Sequence, residues 1–135
     1  MLVFFILLPL ASCSSALQIA LFNNSGEDIT IELWHENIVL NLARSAQFKY
    51  PGPNENWQIH LSTAMCNYIY DVPQTGLEQL PERPRYNSDP LKVQLDKDFG
   101  IYLLPQDSKA VVSAAELGAL QKAGFPLRPM SKVCR

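Results

Sequence analysis

Three kinds of side chain in this 135-residue sequence have types and spacings that invite covalent or metal chemistry. They are the thiols of Cys13, Cys66 and Cys134, the imidazoles of His35 and His60, and the acidic pairs Asp96/Asp98 and Glu78/Glu82. A zinc or copper site needs thiolates and imidazoles that converge. Here the histidines stand far apart, no Cys-x-x-Cys occurs, and His60 alternates between Ile59 and Leu61 as a residue on the polar side of a strand does. No metal or other cofactor is expected. Nucleophilic catalysis fares no better, because Gly-x-Ser-x-Gly and phosphate-cradling glycine loops are absent. Asp96-Lys97-Asp98 sits in a stretch of hairpin-loop composition, where carboxylates bond neighbouring N–H groups, and the EF-hand spacing is missing. Glu78 and Glu82 have the spacing of one helical face, but Pro81 stands between them. An enzyme would have to assemble its site from distant strands, so a non-enzymatic role is expected.

Binding chemistry is better represented. The stretch Pro73 to Pro90 (PQTGLEQLPERPRYNSDP) carries four prolines and no periodic pattern. Loops of this length in compact domains are often functional or disordered. Its Glu82-Arg83-Pro84-Arg85-Tyr86 segment makes Arg83, Arg85 and Tyr86 the candidate partner-binding residues, since Arg and Tyr anchor interfaces and proline stiffens the chain. The aromatics Trp34, Tyr50, Trp57, Tyr68, Tyr70 and Tyr102 fall on proposed strands, where cross-strand packing is the simpler use. A formal charge of −2 gives no general attraction for nucleic acid.

The first residues address the chain. Leu2 to Leu10 (LVFFILLPL) are unbroken apolar residues, but as a helix they would cover only about 14 Å, against the roughly 30 Å of a bilayer core. That length suits the apolar region of a secretory signal, although no Lys or Arg precedes it. The run ends in Leu10-Ala11-Ser12-Cys13, which resembles the lipobox of bacterial lipoproteins. The resemblance covers about the first 14 residues and implies nothing about the domain that follows. It implies a signal peptide over residues 1–12, lipidation of Cys13 and a membrane-anchored mature protein. Ser14, rather than Asp, implies the outer membrane. Two other readings stay open: cleavage after Ala16 to release a soluble periplasmic or secreted protein, and a buried first strand with Cys13 as a core thiol.

With Cys13 consumed by anchoring or cleavage, Cys66 and Cys134 remain as a pair in a chain bound for an oxidising compartment. A disulfide between them is expected, closing a loop of about 70 residues worth at most roughly 4 kcal/mol of chain entropy; the alternative is two free thiols. The disulfide would strap the basic tail Phe125 to Arg135 (FPLRPMSKVCR) along the domain.

From Leu17 onward the apolar residues recur with period two. Ile29, Ile31 and Leu33 alternate with Thr30, Glu32 and Trp34, and Trp57, Ile59 and Leu61 alternate with Gln58, His60 and Ser62. Strands are predicted at Leu17 to Phe22, Ile29 to Trp34, Ile38 to Leu42, Ala46 to Tyr50, Trp57 to Ser62, Cys66 to Val72, Leu91 to Leu95 and Ile101 to Leu104. Asn23 to Asp28 and Pro51 to Asn54 punctuate them as turns. One short helix over about 114–123 is expected, because Ser113-Ala114-Ala115-Glu116 has capping-box spacing and Gly124 supplies a left-handed stop before Pro126.

The resulting expectation is a mainly β protein: an antiparallel sandwich or small barrel of about seven or eight strands with one C-terminal helix. A tether over 13–16 would precede a single domain over 17–135. The function expected is that of an envelope lipoprotein acting as a binding or accessory module, its partners the membrane through the lipid and an envelope protein or polymer. The alternatives are a secreted hydrolase inhibitor and, below it, an enzyme with a site assembled across strands.

Overall fold

The computed structural model describes residues 18–33, 36–49, 58–72, 90–105, 114–118, 121–122 and 124–135. Nine strands and one short helix occupy these residues: β1 (Gln18–Asn23), β2 (Ile29–Glu32), β3 (Asn37–Leu40), β4 (Ser45–Lys49), β5 (Gln58–Ser62), β6 (Cys66–Asp71), β7 (Leu91–Leu95), β8 (Ile101–Leu103), α1 (Ala114–Gly118) and β9 (Ser131–Cys134). They form a four-stranded sheet of order β4-β1-β7-β8, here sheet A, and a five-stranded sheet of order β3-β2-β5-β6-β9, here sheet B. The expected choice between sandwich and barrel resolves to the sandwich. All neighbours in sheet B are antiparallel. Sheet A contains one parallel pair, β1 with β7, in register Ile19 with Leu91 and Leu21 with Val93.

Period-two alternation explains why these segments are strands. Along β1, Ile19 and Leu21 are buried while Gln18, Ala20 and Phe22 are half-buried on the outer side; along β5, Ile59 and Leu61 are buried between half-buried Gln58, His60 and Ser62. The inward residues of both sheets form one core, joined by Tyr68 and Tyr70 of β6 and by Phe125 and Leu127 of the tail. Burying each such side chain removes enough apolar surface to contribute about 1.5–3 kcal/mol before entropy is charged against it. Tyr68, Tyr70 and Tyr102 are all buried, as cross-strand packing required; Trp34, Tyr50, Trp57, His35 and the loop 73–89 lie outside the described residues.

Sheet A carries a second, smaller cluster on its outer side, where Tyr102 and Leu104 meet Leu117 of α1. The helix is shorter than its capping pattern suggested. Its described span is Ala114–Gly118, and Gln121 and Lys122 are not helical. The Gln121 amide has another use. Its Oε1 accepts from Leu103 N–H (2.8 Å), and its Nε2 donates to Leu103 O (3.0 Å) and Leu117 O (2.8 Å). Gly124 does adopt the left-handed conformation, at φ +87°.

The Asn23-Asn24-Ser25-Gly26 turn is held by a buried polar peg. Asn23 Nδ2 donates to Glu27 O (2.8 Å) and Leu40 O (3.1 Å), while its Oδ1 accepts from Ser25 N–H (3.1 Å) and Ser25 Oγ (2.6 Å). A fully buried amide is tolerated because all four of its hydrogen-bonding sites are met. The peg fixes the corner between the β1–β2 turn and the end of β3. Gly26 completes that turn at φ +93°, where any Cβ would strain the backbone.

Candidate binding face

The expected disulfide is present. Cys66 and Cys134 are bonded, with Cα atoms 4.0 Å apart, directly opposite each other on β6 and β9. The tail is therefore more than strapped on: it contributes the ninth strand, which the sequence pattern did not suggest. Cys13, Arg83, Arg85 and Tyr86 lie outside the described residues; of the candidate site residues that are described, Cys66 and Cys134 are brought together.

Among the described residues, a group of charged and aromatic side chains surrounds the β7–β8 turn. Asp96 Oδ1 accepts from Lys97 N–H (2.8 Å), the local turn bonding anticipated for that carboxylate, and also from Asn24 Nδ2 (3.1 Å) in the distant β1–β2 turn. Asp98 reaches further. Its Oδ1 accepts from Gly100 N–H (2.9 Å), and its Oδ2 accepts from Tyr102 Oη (2.5 Å) and from Arg128 Nη1 (2.6 Å). Arg128 closes the triangle by donating from Nη2 to Tyr102 Oη (3.1 Å) while its guanidinium lies 5.5 Å from the centre of the Tyr102 ring. Gly100 is needed here, since a Cβ would come within 2.8 Å of both Arg128 Nη1 and the Tyr102 ring.

The electrostatics follow from these contacts. Partial burial pushes the Asp98 carboxyl up, but the hydrogen bonds from Tyr102, Arg128 and Gly100 and the charge of Arg128 outweigh it and hold the group below its ordinary value. Tyr102 is raised, first by burial and then by its bond to Asp98. On the other side of the turn, Phe99 adopts φ +58°, stacks on Tyr68 at 4.3 Å and accepts a bond at its carbonyl from Tyr70 Oη (2.8 Å). These contacts compensate a conformation that costs a non-glycine residue of order 1 kcal/mol. Lys132 of β9 covers the Tyr68 ring at 5.6 Å. The cluster joins the two sheets and the tail through bonds among its carboxylate, hydroxyl and guanidinium groups, and so acts as a latch.

The outer face of sheet B is different in kind. Alternation places Thr30, Glu32, Gln58, His60, Ser62, Asn67 and Asp71 on one plane of paired strands, with Ile69 and Val133 among them. Glu32 stands directly opposite His60, and Gln58 opposite Asp71. Gln58 Nε2 donates to Asp71 Oδ1 (3.2 Å), and Gln58 Oε1 lies 3.3 Å from His60 Nε2. His60 thus faces the polar side of its strand, as the alternation required. Individual polar positions on β2 and β5 were readable from the sequence; their assembly into one face was not, because it depends on strand order and register. Among the described residues, no group of three or more His, Cys, Asp or Glu side chains converges as a metal site would, and no helix is long and apolar enough to cross a membrane. No family model, curated protein or solved structure matches the chain.

Proposed function

We propose that this chain is a lipid-anchored accessory module of a bacterial envelope, held at the membrane through Cys13 and binding an envelope protein or polymer through the outer face of sheet B. The observation that carries the binding half is the contrast between the two outer faces. That of sheet A packs against α1 through Leu117, whereas that of sheet B presents a plane of carboxylate, imidazole, amide and hydroxyl groups. Such a plane matches ligands or protein surfaces that recognise many hydrogen-bonding groups at once, at the cost of desolvating them. The anchoring half rests on the lipobox resemblance at Leu10-Ala11-Ser12-Cys13. Each buried acyl CH₂ adds about 0.8 kcal/mol, so several chains give stable attachment, and attachment raises the concentration of the face near its partners.

Two measurements test the halves separately. Intact mass of the protein made in a bacterial host is expected to show diacylglyceryl on Cys13; an unmodified Cys13 removes the anchor. Recovery of envelope components on immobilised protein is expected to fall with Thr30→Arg and Asn67→Arg on the outer face of sheet B. Unchanged recovery removes that face as the binding element.

A further inference from the structure

A sheet can continue wherever an edge strand keeps one side of its main chain unpaired. Sheet A covers such a side at β8: Ile101 exchanges two hydrogen bonds with Leu127 (2.9 and 2.8 Å), and the Gln121 amide pairs both main-chain groups of Leu103. Sheet B ends at β3 and β9, and among the described residues no strand pairs the outer side of either. Ladder parity identifies the groups that point outward. Leu33 N–H donates to Glu36 O (2.9 Å), so residues 36, 38 and 40 turn their main chain to β2, and Asn37 and Val39 turn theirs away. Arg135 N–H donates to Met65 O (2.9 Å), which likewise leaves Lys132 and Cys134 facing outward. Each edge offers two N–H and two C=O groups at the same spacing.

Two further observations say what fits these edges. Among the described residues, the exposed large hydrophobics are Val39 and Leu42 at β3 and Met65, Met130 and Val133 at β9. The charge around the edges is opposite. Between Phe22 and Arg44 the sequence has the acids Glu27, Asp28, Glu32 and Glu36 and no Lys or Arg, whereas after Glu116 it has four basic residues and no acid. Glu32 and Glu36 are exposed beside β3, as Lys132 and Arg135 are at β9.

We infer that copies of this chain associate head to tail, the acidic β3 edge of one adding to the basic β9 edge of the next so that sheet B continues between molecules. Every neighbouring pair in the five-stranded sheet is antiparallel, so β3 and β9 run the same way. A copy displaced along the sheet brings the two edges together in parallel, with both cores on the same side. Pairing β9 with β9, or β3 with β3, would set like charges against each other. The contact is heterologous and therefore closes a ring or grows a filament. The disulfide contributes by ordering β9 in advance, because a four-residue strand with mostly exposed side chains buries little to hold itself. The association does not depend on the lipid anchor. Although it shares Glu32 and Val133 with the outer face of sheet B, it is read on the purified chain without any envelope component, so its failure and that of binding to the face are told apart.

Sedimentation velocity of the purified full chain over a concentration series tests the inference. The mean sedimentation coefficient is expected to rise with concentration and to fall back in high salt. The charge reversals Glu32→Lys with Glu36→Lys, and Lys132→Glu with Arg135→Glu, are each expected to weaken association at least about tenfold. An equimolar mixture of the two is expected to regain it, since each reversed edge then meets its complement, and two unfolded variants would not do so. A wild-type chain that stays monomeric throughout overturns the inference, as does association that survives either reversal. Where a reversal variant does not fold, Val39→Cys mixed with Val133→Cys decides. A disulfide linking positions 39 and 133 of different copies supports the pairing; its absence, or links only between like positions, overturns it.

Discussion

β8 and β9 end their sheets on the same side of the sandwich, with only Arg128, Pro129 and Met130 between the Leu127 bridge and the start of β9. One of them is covered and the other is open. At β8 the tail supplies a two-bond bridge, Gln121 imitates a neighbouring strand, and Leu117 packs on the outer surface. At β9 the same tail has become the edge itself, exposed along most of its length and tied back by a disulfide. Main-chain donors and acceptors need partners wherever water is excluded. β8 is buried throughout, so its edge must be satisfied from within; β9 is open to solvent, so its outward groups can wait for water or for another strand.

The contrast can be broken most strongly at the disulfide. Replacing Cys134 by Ser removes a cross-link with a sequence separation of 68 and is expected to cost up to about 4 kcal/mol, read as a lower denaturant midpoint. Amide exchange in β9 should rise more than in β8, and equal acceleration in both would mean that β9 does not depend on its clasp. Next comes the covered face of sheet A. Leu117→Ala opens a cavity at a side chain with no exposure and is expected to cost about 3 kcal/mol. Val133→Thr on the outer side of sheet B should change stability by no more than about 0.5 kcal/mol. Similar losses for both would erase the difference between the faces.

A smaller effect is expected at the side-chain cap of β8. Gln121→Ala leaves both main-chain groups of Leu103 without the bonds they now make, and about 2 kcal/mol should be lost in thermal or denaturant unfolding. A neutral result would show that β8 needs no cap. The smallest concerns the latch. A carboxyl held below its ordinary value stabilises the fold while it is ionised, and that contribution disappears as pH falls below about 4 and through the lowered value. Because Asp98 and Arg128 are about half exposed, screening limits the effect to at most about 1 kcal/mol. Asp98→Asn should flatten the acid side of the stability profile, and a profile unchanged by the substitution would remove the latch from the energetics.

The strands that alternate cleanly were legible as sequence. β2, β5 and β7 lie within a residue or two of their expected limits, because a half-buried strand imposes its period of two on the side chains. β9 was not. Ser131-Lys132-Val133-Cys134 is an exposed edge strand following two prolines, and a strand that buries almost nothing leaves no hydrophobic period to read. The helix was overextended because capping and spacing report local preference, while Gln121 answers to Leu103, a residue 18 positions away. Asp98 was placed in its turn, but its bonds to Tyr102 and Arg128 require the tail to return beside that turn.

What the sequence determined by itself is the β character and the turn punctuation; it also raised the expectation, against two free thiols, that Cys66 pairs with Cys134, and it carries a resemblance that proposes where the chain is anchored. Tertiary structure alone decided that β1 and β7 pair in parallel, that the tail bridges sheet A and then joins sheet B, and that polar residues from separate strands share one open face. The reason is physical. Local preferences and side-chain periods act over a few residues and are written along the chain, whereas strand order and edge exposure arise only when segments far apart in sequence compete to bury the same core.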